Sequence, residues 1–133
     1  MEVKPITKEV STTYEETIDK LRELMINEGF NILGEKKMEK MIKEKLGEDL
    51  PFKYTILLGC NPEVSKKALE INSEIGLLFP CSFVVSEKEG VVSVSHLSIM
   101  KTAILLGFAQ EEEMQEVLSI LSQKTTNIFN SLS

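Results

Sequence analysis

The chain has 133 residues, a net charge of −6 at pH 7 and a single arginine, Arg22. A nucleic-acid partner is not expected, because contacts to phosphates need a basic face. Hydrophobic residues make up 42% of the chain and charged residues 27%, which is typical of a globular protein, and the length predicts one domain over residues 1–133.

No hydrophobic run follows Met1, and the longest apolar run, residues 103–109, is too short to cross a bilayer. We therefore expect no membrane partner and a cytoplasmic location. In that reducing compartment the two cysteines, Cys60 and Cys81, are expected to be free, metal-binding or redox-active rather than joined in a structural disulfide.

The first part of the chain predicts a strand followed by a helix. Pro5 and the spacing of the apolar residues favour a short edge strand within residues 2–10. Thr12 and Thr13 are each followed three residues later by a glutamate, which is the signature of a capping box. The helix that begins there is expected to run to about Glu28 and to end at Gly29.

Residues 30–34 predict a second strand, and residues 36–46 return to helical spacing. The methionines of that helix, Met38 and Met41, are expected to fill the core beside Ile42. Its lysines alternate with glutamates, and we expect them to pair at i,i+4 spacing on a solvated face.

The central stretch predicts a buried strand and a well-defined helix start. Residues 54–58 are too short and too continuously apolar for an amphipathic helix, and Gly59 permits a change of direction after them. Asn61 is a preferred N-cap and Pro62 suits the first helical position, so a helix is expected up to Asn72.

Both cysteines flank this helix. Cys60 precedes the cap, near the helix N-terminus, a position that favours the thiolate form of a cysteine. Cys81 opens the next strand. If the two strands run parallel, the cysteines lie roughly 17 Å apart at opposite ends of the sheet. If residues 73–80 instead carry the chain back along the sheet, the two cysteines meet. The sequence leaves both arrangements open.

The last third predicts a hairpin followed by helices. Residues 87–90 form the turn between strands 81–86 and 91–97. Ser98 is expected to cap a short helix over residues 99–106, and three glutamates at 111–113 suit the first turn of a final helix.

These elements predict an α+β (mixed α/β) fold. We expect a single mixed, largely antiparallel sheet with helices packed on one face, a terminal β-hairpin and a C-terminal helix. The other face of the sheet is left to water or to a second copy. The apolar residues at 77–79 and 104–108 exceed what one small core needs, so a homodimer is expected.

The cysteine motifs also resemble a known family, the prokaryotic "domain of unknown function 302" family. The resemblance rests on Gly59-Cys60-Asn61-Pro62, then Ala68-Leu69, then Gly76-Leu77-Leu78-Phe79-Pro80-Cys81-x-x-Val84-Val85-x-Glu87. It implies a small α/β domain and a homodimer, without an established activity. The sequence departs from the family pattern at His96-Leu97, where an Asp-Pro pair is expected.

Common enzyme motifs are absent from the sequence: there is no Walker loop, dinucleotide-binding glycine motif, nucleophile elbow or zinc-protease helix. We therefore predict a binding module for a small ligand at Gly59, Cys60, Asn61, Pro62 and Cys81. Zinc or copper is a candidate cofactor, with Cys60, Cys81 and His96 as candidate ligands, although the sequence requires none.

Two alternatives remain open. In one, the protein is a thiol redox or sulfur-handling enzyme in which Cys60 is the nucleophile and Cys81 the resolving thiol. In the other, both cysteines are buried core residues of a structural domain, since cysteine is among the most buried residue types. Asn61 alone is better explained as a helix cap, and His96 alone as a polar residue at the end of a strand.

Overall fold

The computed structural model describes residues 2–133. Its five strands form one sheet, and most of the strands are separated along the chain by helices. The strand order is β1-β5-β4-β3-β2, and every neighbouring pair in this sheet is antiparallel. The strands are β1 Ile6–Val10, β2 Asn31–Lys37, β3 Lys53–Cys60, β4 Cys81–Lys88 and β5 Val91–His96. The helices are α1 Tyr14–Asn27, α2 Met38–Leu46, α3 Pro62–Ile71, α4 Ile99–Leu105 and α5 Gln115–Asn130, with short 3-10 helices at Ser73–Leu78 and Glu112–Met114.

This architecture confirms the α+β class and the hairpin followed by a C-terminal helix. β1 is an edge strand, as expected from Pro5, which lies directly before it. The turn of the hairpin is the pair Glu89 and Gly90, which both have positive φ, at 50° and 81°. Such a two-residue turn matches the right-handed twist of the strands that it joins.

The predicted N-cap of α1 is confirmed at Thr13, but the Glu16 carboxylate bonds the Thr13 hydroxyl and not the Thr13 amide that a full capping box uses. Thr13 is the N-cap: the Glu16 amide donates to its Oγ1 at 3.2 Å, and that hydroxyl donates to the Glu16 carboxylate at 2.9 Å. The helix then buries one face against the sheet, and the chain leaves it through Gly29 at a φ of +89°. The buried residues of α1 are Tyr14, Thr17, Ile18, Leu21 and Met25.

The predicted start of α2 is wrong. Residues 35–37 continue β2 and the helix begins only at Met38, because β2 pairs with β3 as far as Lys37 opposite Thr55. Pairing with a neighbouring strand overrides helix propensity here. The expected i,i+4 lysine pairs are also wrong, since Lys37 pairs with Glu15 of α1 and Lys43 with Asp49.

The methionines of α2 do not fill the core, contrary to expectation. No residue of this helix is buried, and 38% of Met41 is exposed. Instead Glu39 joins the helix to its neighbours by accepting hydrogen bonds from the Tyr14 hydroxyl and from the Tyr54 amide, both at 3.0 Å. Burial raises the pKa of Tyr14, so its hydroxyl remains a donor.

The core lies between one face of the sheet and the helices. β3 alternates strictly: Thr55, Leu57 and Gly59 are buried, and the residues between them are partly exposed. Across the ladder, Cys81, Phe83 and Val85 of β4 occupy the same buried face. This period of two is what a sheet with one covered face requires.

The open question of strand direction is answered by the segment between α3 and β4. The 3-10 helix at Ser73–Leu78 brings the chain back, so β4 runs antiparallel to β3 with Gly59 opposite Cys81. Asn72 fixes this return because its side chain accepts from the Glu74 amide at 3.0 Å and donates to the Phe108 carbonyl at 2.7 Å. The Phe79–Pro80 peptide bond that precedes β4 is cis.

The C-terminal region follows the prediction at α4 and departs from it at α5. Ser98 caps α4 by accepting from the Lys101 amide at 3.2 Å. The three glutamates at 111–113 precede α5 instead of forming its first turn, and Glu113 accepts from the Gln110 amide at 2.9 Å. Among residues 2–133, none of the helices has the length and apolar character needed to cross a membrane.

Candidate functional site

Both cysteines line one small cavity, which we call the cysteine cavity. It lies where β3 ends, α3 begins and β4 begins, and only about 10 Å³ of it is open to the centre of a water molecule. That is room for one water molecule or one ion. The residues that line it are Gly59, Cys60, Asn61, Val64, Ser65, Phe79, Pro80, Cys81 and Met100.

Cys60 is the more accessible of the two thiols. It is half-buried at the last position of β3, and its Sγ lies 3.2 Å from the Ser65 hydroxyl, within hydrogen-bonding distance. Ser65 belongs to the first turn of α3, where its amide donates to the Asn61 carbonyl at 2.8 Å. The sulfur of Cys60 therefore touches the start of the helix, as the sequence predicted.

Cys81 is the buried thiol of the two. Its exposed fraction is 7%, and it begins β4 on the face that packs against the helices. Burial, and to a lesser degree the nearby Cys60, raise the pKa of its thiol to about 12. At neutral pH the Cys81 side chain is therefore a protonated thiol until a ligand displaces the proton.

Asn61 is committed to the fold. It is 4% exposed, its Oδ1 accepts from the Val64 amide at 3.4 Å, and its Nδ2 donates to the Glu28 carbonyl at 3.0 Å. Both ends of its amide are thus occupied by the protein. This supports the interpretation of Asn61 as a cap that also ties α3 to the end of α1.

Gly59 and Pro62 have structural explanations too. A Cβ at Gly59 would lie 2.7 Å from Cε of Met25 and 3.1 Å from Cδ1 of Phe30, so a larger residue would crowd the core. Pro62 occupies the first position of α3, is exposed, and does not line the cysteine cavity. Of the five predicted binding residues, four therefore line the cavity, but only the two cysteines offer side-chain groups free to bind.

His96 lies elsewhere in the core. It ends β5, as expected, but it is buried: it is 3% exposed and stacks on Phe83 with ring centroids 4.1 Å apart. Its Nδ1 lies 2.9 Å from the Ser82 carbonyl, and burial lowers its pKa, so the neutral ring donates from Nδ1. Its buried Nε2 has no hydrogen-bond partner in the described structure.

His96 is not among the residues that line the cysteine cavity. Across residues 2–133, no three side chains of His, Cys, Asp or Glu come together as a metal-binding group. The donors that the cavity does collect are the thiols of Cys60 and Cys81, the Ser65 hydroxyl and the side chain of Met100. Such a donor set favours soft ligands over hard cations.

Sequence reasoning missed two residues of this site, Ser65 and Met100. The spacing of Ser65 could have identified it, because a residue three positions after a helix start faces back toward the cap. No local pattern could have identified Met100, because α4 reaches the cavity only through tertiary packing.

The fold and the site define an α+β domain in which two cysteines on adjacent antiparallel strands share one cavity. A family model described as "Domain of unknown function DUF302" matches residues 6–132, and the chain belongs to this family. The crystal structure of an uncharacterized conserved protein DUF302 from Bacillus stearothermophilus superposes with a TM-score of 0.85 at 24% identity, covering 97% of this chain and 98% of that one. At this identity the likeness concerns the fold. No match was found among curated proteins.

Proposed function

We propose that the protein is a binding module that takes a soft, thiol-seeking ligand in the cysteine cavity. The observation that carries the proposal is the pairing of Gly59 with Cys81, which brings both cysteines against the same cavity. Both are free thiols, and no carboxylate or imidazole lines the cavity. Thiols are soft donors, so the ligand class is a thiophilic metal ion or a small thiol-reactive molecule.

The geometry favours binding over catalysis. A resolving thiol must attack as a thiolate, but burial raises the pKa of Cys81 to about 12. A general acid or base in the cavity would ease that attack, and none of the lining side chains supplies one. A bound thiophilic ion, by contrast, displaces the thiol proton directly.

The test is thermal unfolding with cadmium as the thiophilic ion and magnesium as the hard one. At about a hundredfold excess over its Kd, cadmium should raise the Tm of the wild type by about 5–10 °C, and magnesium should not. The shift should disappear in Cys60→Ser and in Cys81→Ser. An equal shift in either variant would show that the ion binds outside the cysteine cavity and would overturn the proposal.

A thiol redox enzyme is the second candidate, and the unequal exposure of the two thiols favours it. The Cys60 thiolate would attack the O–O bond of a hydroperoxide, giving a sulfenic acid and an alkoxide that takes a proton from water and leaves as an alcohol. The Cys81 thiol would then displace water to form a Cys60–Cys81 disulfide, and two equivalents of a small thiol would reduce it and leave as their own disulfide. Peroxide consumption with a reversible Cys60–Cys81 crosslink supports this candidate; treatment that leaves both thiols free excludes it.

A homodimer in the cytoplasm is part of the same proposal. Three leucines of the predicted excess apolar segments lie on the surface: Leu77 is 76% exposed, Leu105 60% and Leu106 54%. Leu77 belongs to the 3-10 helix at Ser73–Leu78, Leu105 ends α4 and Leu106 follows it, and these two elements are in contact. Sedimentation should give a dimer for the wild type and a monomer for Leu105→Glu, whereas a monomeric wild type contradicts the proposed homodimer.

The proposed cytoplasmic location is supported by the two free thiols, which suit a reducing compartment.

A further inference from the structure

A third sulfur-containing residue lines the cysteine cavity. Met100 belongs to α4, is 1% exposed, and shares the cavity with Cys60 and Cys81. We propose that the cavity is a site for monovalent copper, with the thiolates of Cys60 and Cys81 and the thioether of Met100 as ligands. This inference rests on the proposed binding function and names its ligand.

The donor set favours monovalent copper over zinc. Thiolates bind both Cu(I) and zinc, but zinc in a structural site takes a tetrahedral set of four thiolates, imidazoles or carboxylates. The cavity supplies only two ligands of the kind that zinc uses, since His96 lies outside it. A thioether is a poor ligand for zinc and a good one for Cu(I), which also accepts linear and trigonal sets.

The size and the walls of the cavity suit a single dehydrated ion. About 10 Å³ is open to the centre of a water molecule, which is enough for one ion and too little for an ion with its hydration shell. Val64, Phe79 and Pro80 form apolar walls. Such walls keep water out and stabilise the softer, lower-charged oxidation state of copper.

The three ligands are held by separate, well-anchored elements. The β3–β4 ladder fixes the cysteines, with Gly59 opposite Cys81. Met100 is fixed by α4, where Ser98 caps the first turn and the neighbouring Ile99 and Ala103 are buried. Cys60 is the half-buried ligand, so the ion enters from its side.

Binding must release protons. Each thiol loses its proton when its sulfur bonds to copper, so Cu⁺ and two S–H groups give one copper–dithiolate site and two H⁺. The ion keeps its oxidation state, and the methionine sulfur contributes a lone pair without losing a proton. Apparent affinity for Cu(I) should therefore rise with pH across the neutral range.

The experiment is an anaerobic Cu(I) titration of the full chain in competition with a chromogenic Cu(I) chelator. The variants are Cys60→Ser, Cys81→Ser and Met100→Leu. Leucine matches methionine in volume without its sulfur, so packing changes little. Met114→Leu is the matched control, because Met114 is equally buried but does not line the cavity.

The wild type should bind one Cu(I) per chain, and X-ray absorption should show sulfur ligands only. Met100→Leu should weaken binding by about tenfold or more, each serine variant should weaken it further, and Met114→Leu should match the wild type. Equal affinity in Met100→Leu and wild type overturns the role of Met100. Failure of the wild type to bind Cu(I), while cadmium still raises its Tm, overturns the copper site and leaves the binding function standing. Failure with both ions overturns both proposals.

Discussion

Gly59 lies directly opposite Cys81 in the antiparallel ladder between β3 and β4, on the face of the sheet that packs against the helices. The absence of a side chain at Gly59 gives Met25 and Phe30 room to pack against this end of β3. One pairing therefore joins the core to the cysteine cavity, and it sets the positions of both thiols.

Gly59→Ala should destabilise the protein. Its Cβ would lie 2.7 Å from Met25 Cε and 3.1 Å from Phe30 Cδ1, and both of those side chains are buried. Overpacking of this kind lowers the free energy of unfolding by about 1–3 kcal/mol, which urea denaturation measures.

Gly34→Ala is the control for that change. It adds the same methyl group to β2, where the nearest atom is Leu58 Cδ1 at 3.8 Å, an ordinary contact. The two variants should differ in stability; equal free energies of unfolding would contradict the tight packing at Gly59.

Asn61→Ala should also destabilise the protein, because it removes the cap of α3 and the hydrogen bond to the Glu28 carbonyl together. The expected loss is about 1–2 kcal/mol. Ser98→Ala, which removes the exposed cap of α4, should cost less by the same measurement. A larger loss at Ser98 than at Asn61 would contradict this assignment.

The two thiols should differ sharply in alkylation. Iodoacetamide at pH 8 should modify half-buried Cys60 in the folded protein and leave Cys81 intact, because Cys81 is 7% exposed and burial raises its pKa to about 12. Both should react after denaturation. Peptide mass spectrometry follows each site, and similar rates in the folded protein would contradict the difference in burial.

His96 should give stability a pH dependence near neutrality. Burial lowers its pKa below the ordinary value of 6.5, so the unfolded chain binds a proton that the folded chain does not. Its contribution to the free energy of unfolding is complete above pH 6.5 and falls as the pH drops toward the folded-state pKa. The slope reaches up to about 1.4 kcal/mol per pH unit.

His96→Leu removes this slope and keeps the position apolar. As His96 is the only histidine of the chain, no other histidine contributes. Urea denaturation at several pH values between 7.5 and 5.5 should show the stability of the wild type falling relative to the variant. Parallel curves for the two proteins would show that the imidazole is not desolvated.

Local patterns predicted the elements around the site well. Three of these elements depend on residues close in sequence: the apolar run of β3, the Asn61-Pro62 helix start and the N-cap at Thr13. Local capping geometry is specified within one turn of helix, and no distant contact alters it.

What the sequence left open or missed depends on distant partners. Strand direction between β3 and β4 follows from how residues 73–80 pack, and the start of α2 follows from pairing of β2 with β3. The burial of His96 could have been predicted from the sequence, because Val92, Val94 and His96 lie on the same face of β5. The position of Met100 in the cysteine cavity could not have been predicted in this way.

The meeting of the two thiols is tested most directly by phenylarsine oxide, a reagent that bridges thiols lying side by side. Native mass spectrometry of the folded protein should show one tightly held phenylarsenic group on the wild type and none that survives dilution on Cys60→Ser or Cys81→Ser. A wild type that holds the reagent no better than either serine variant would contradict the shared cavity.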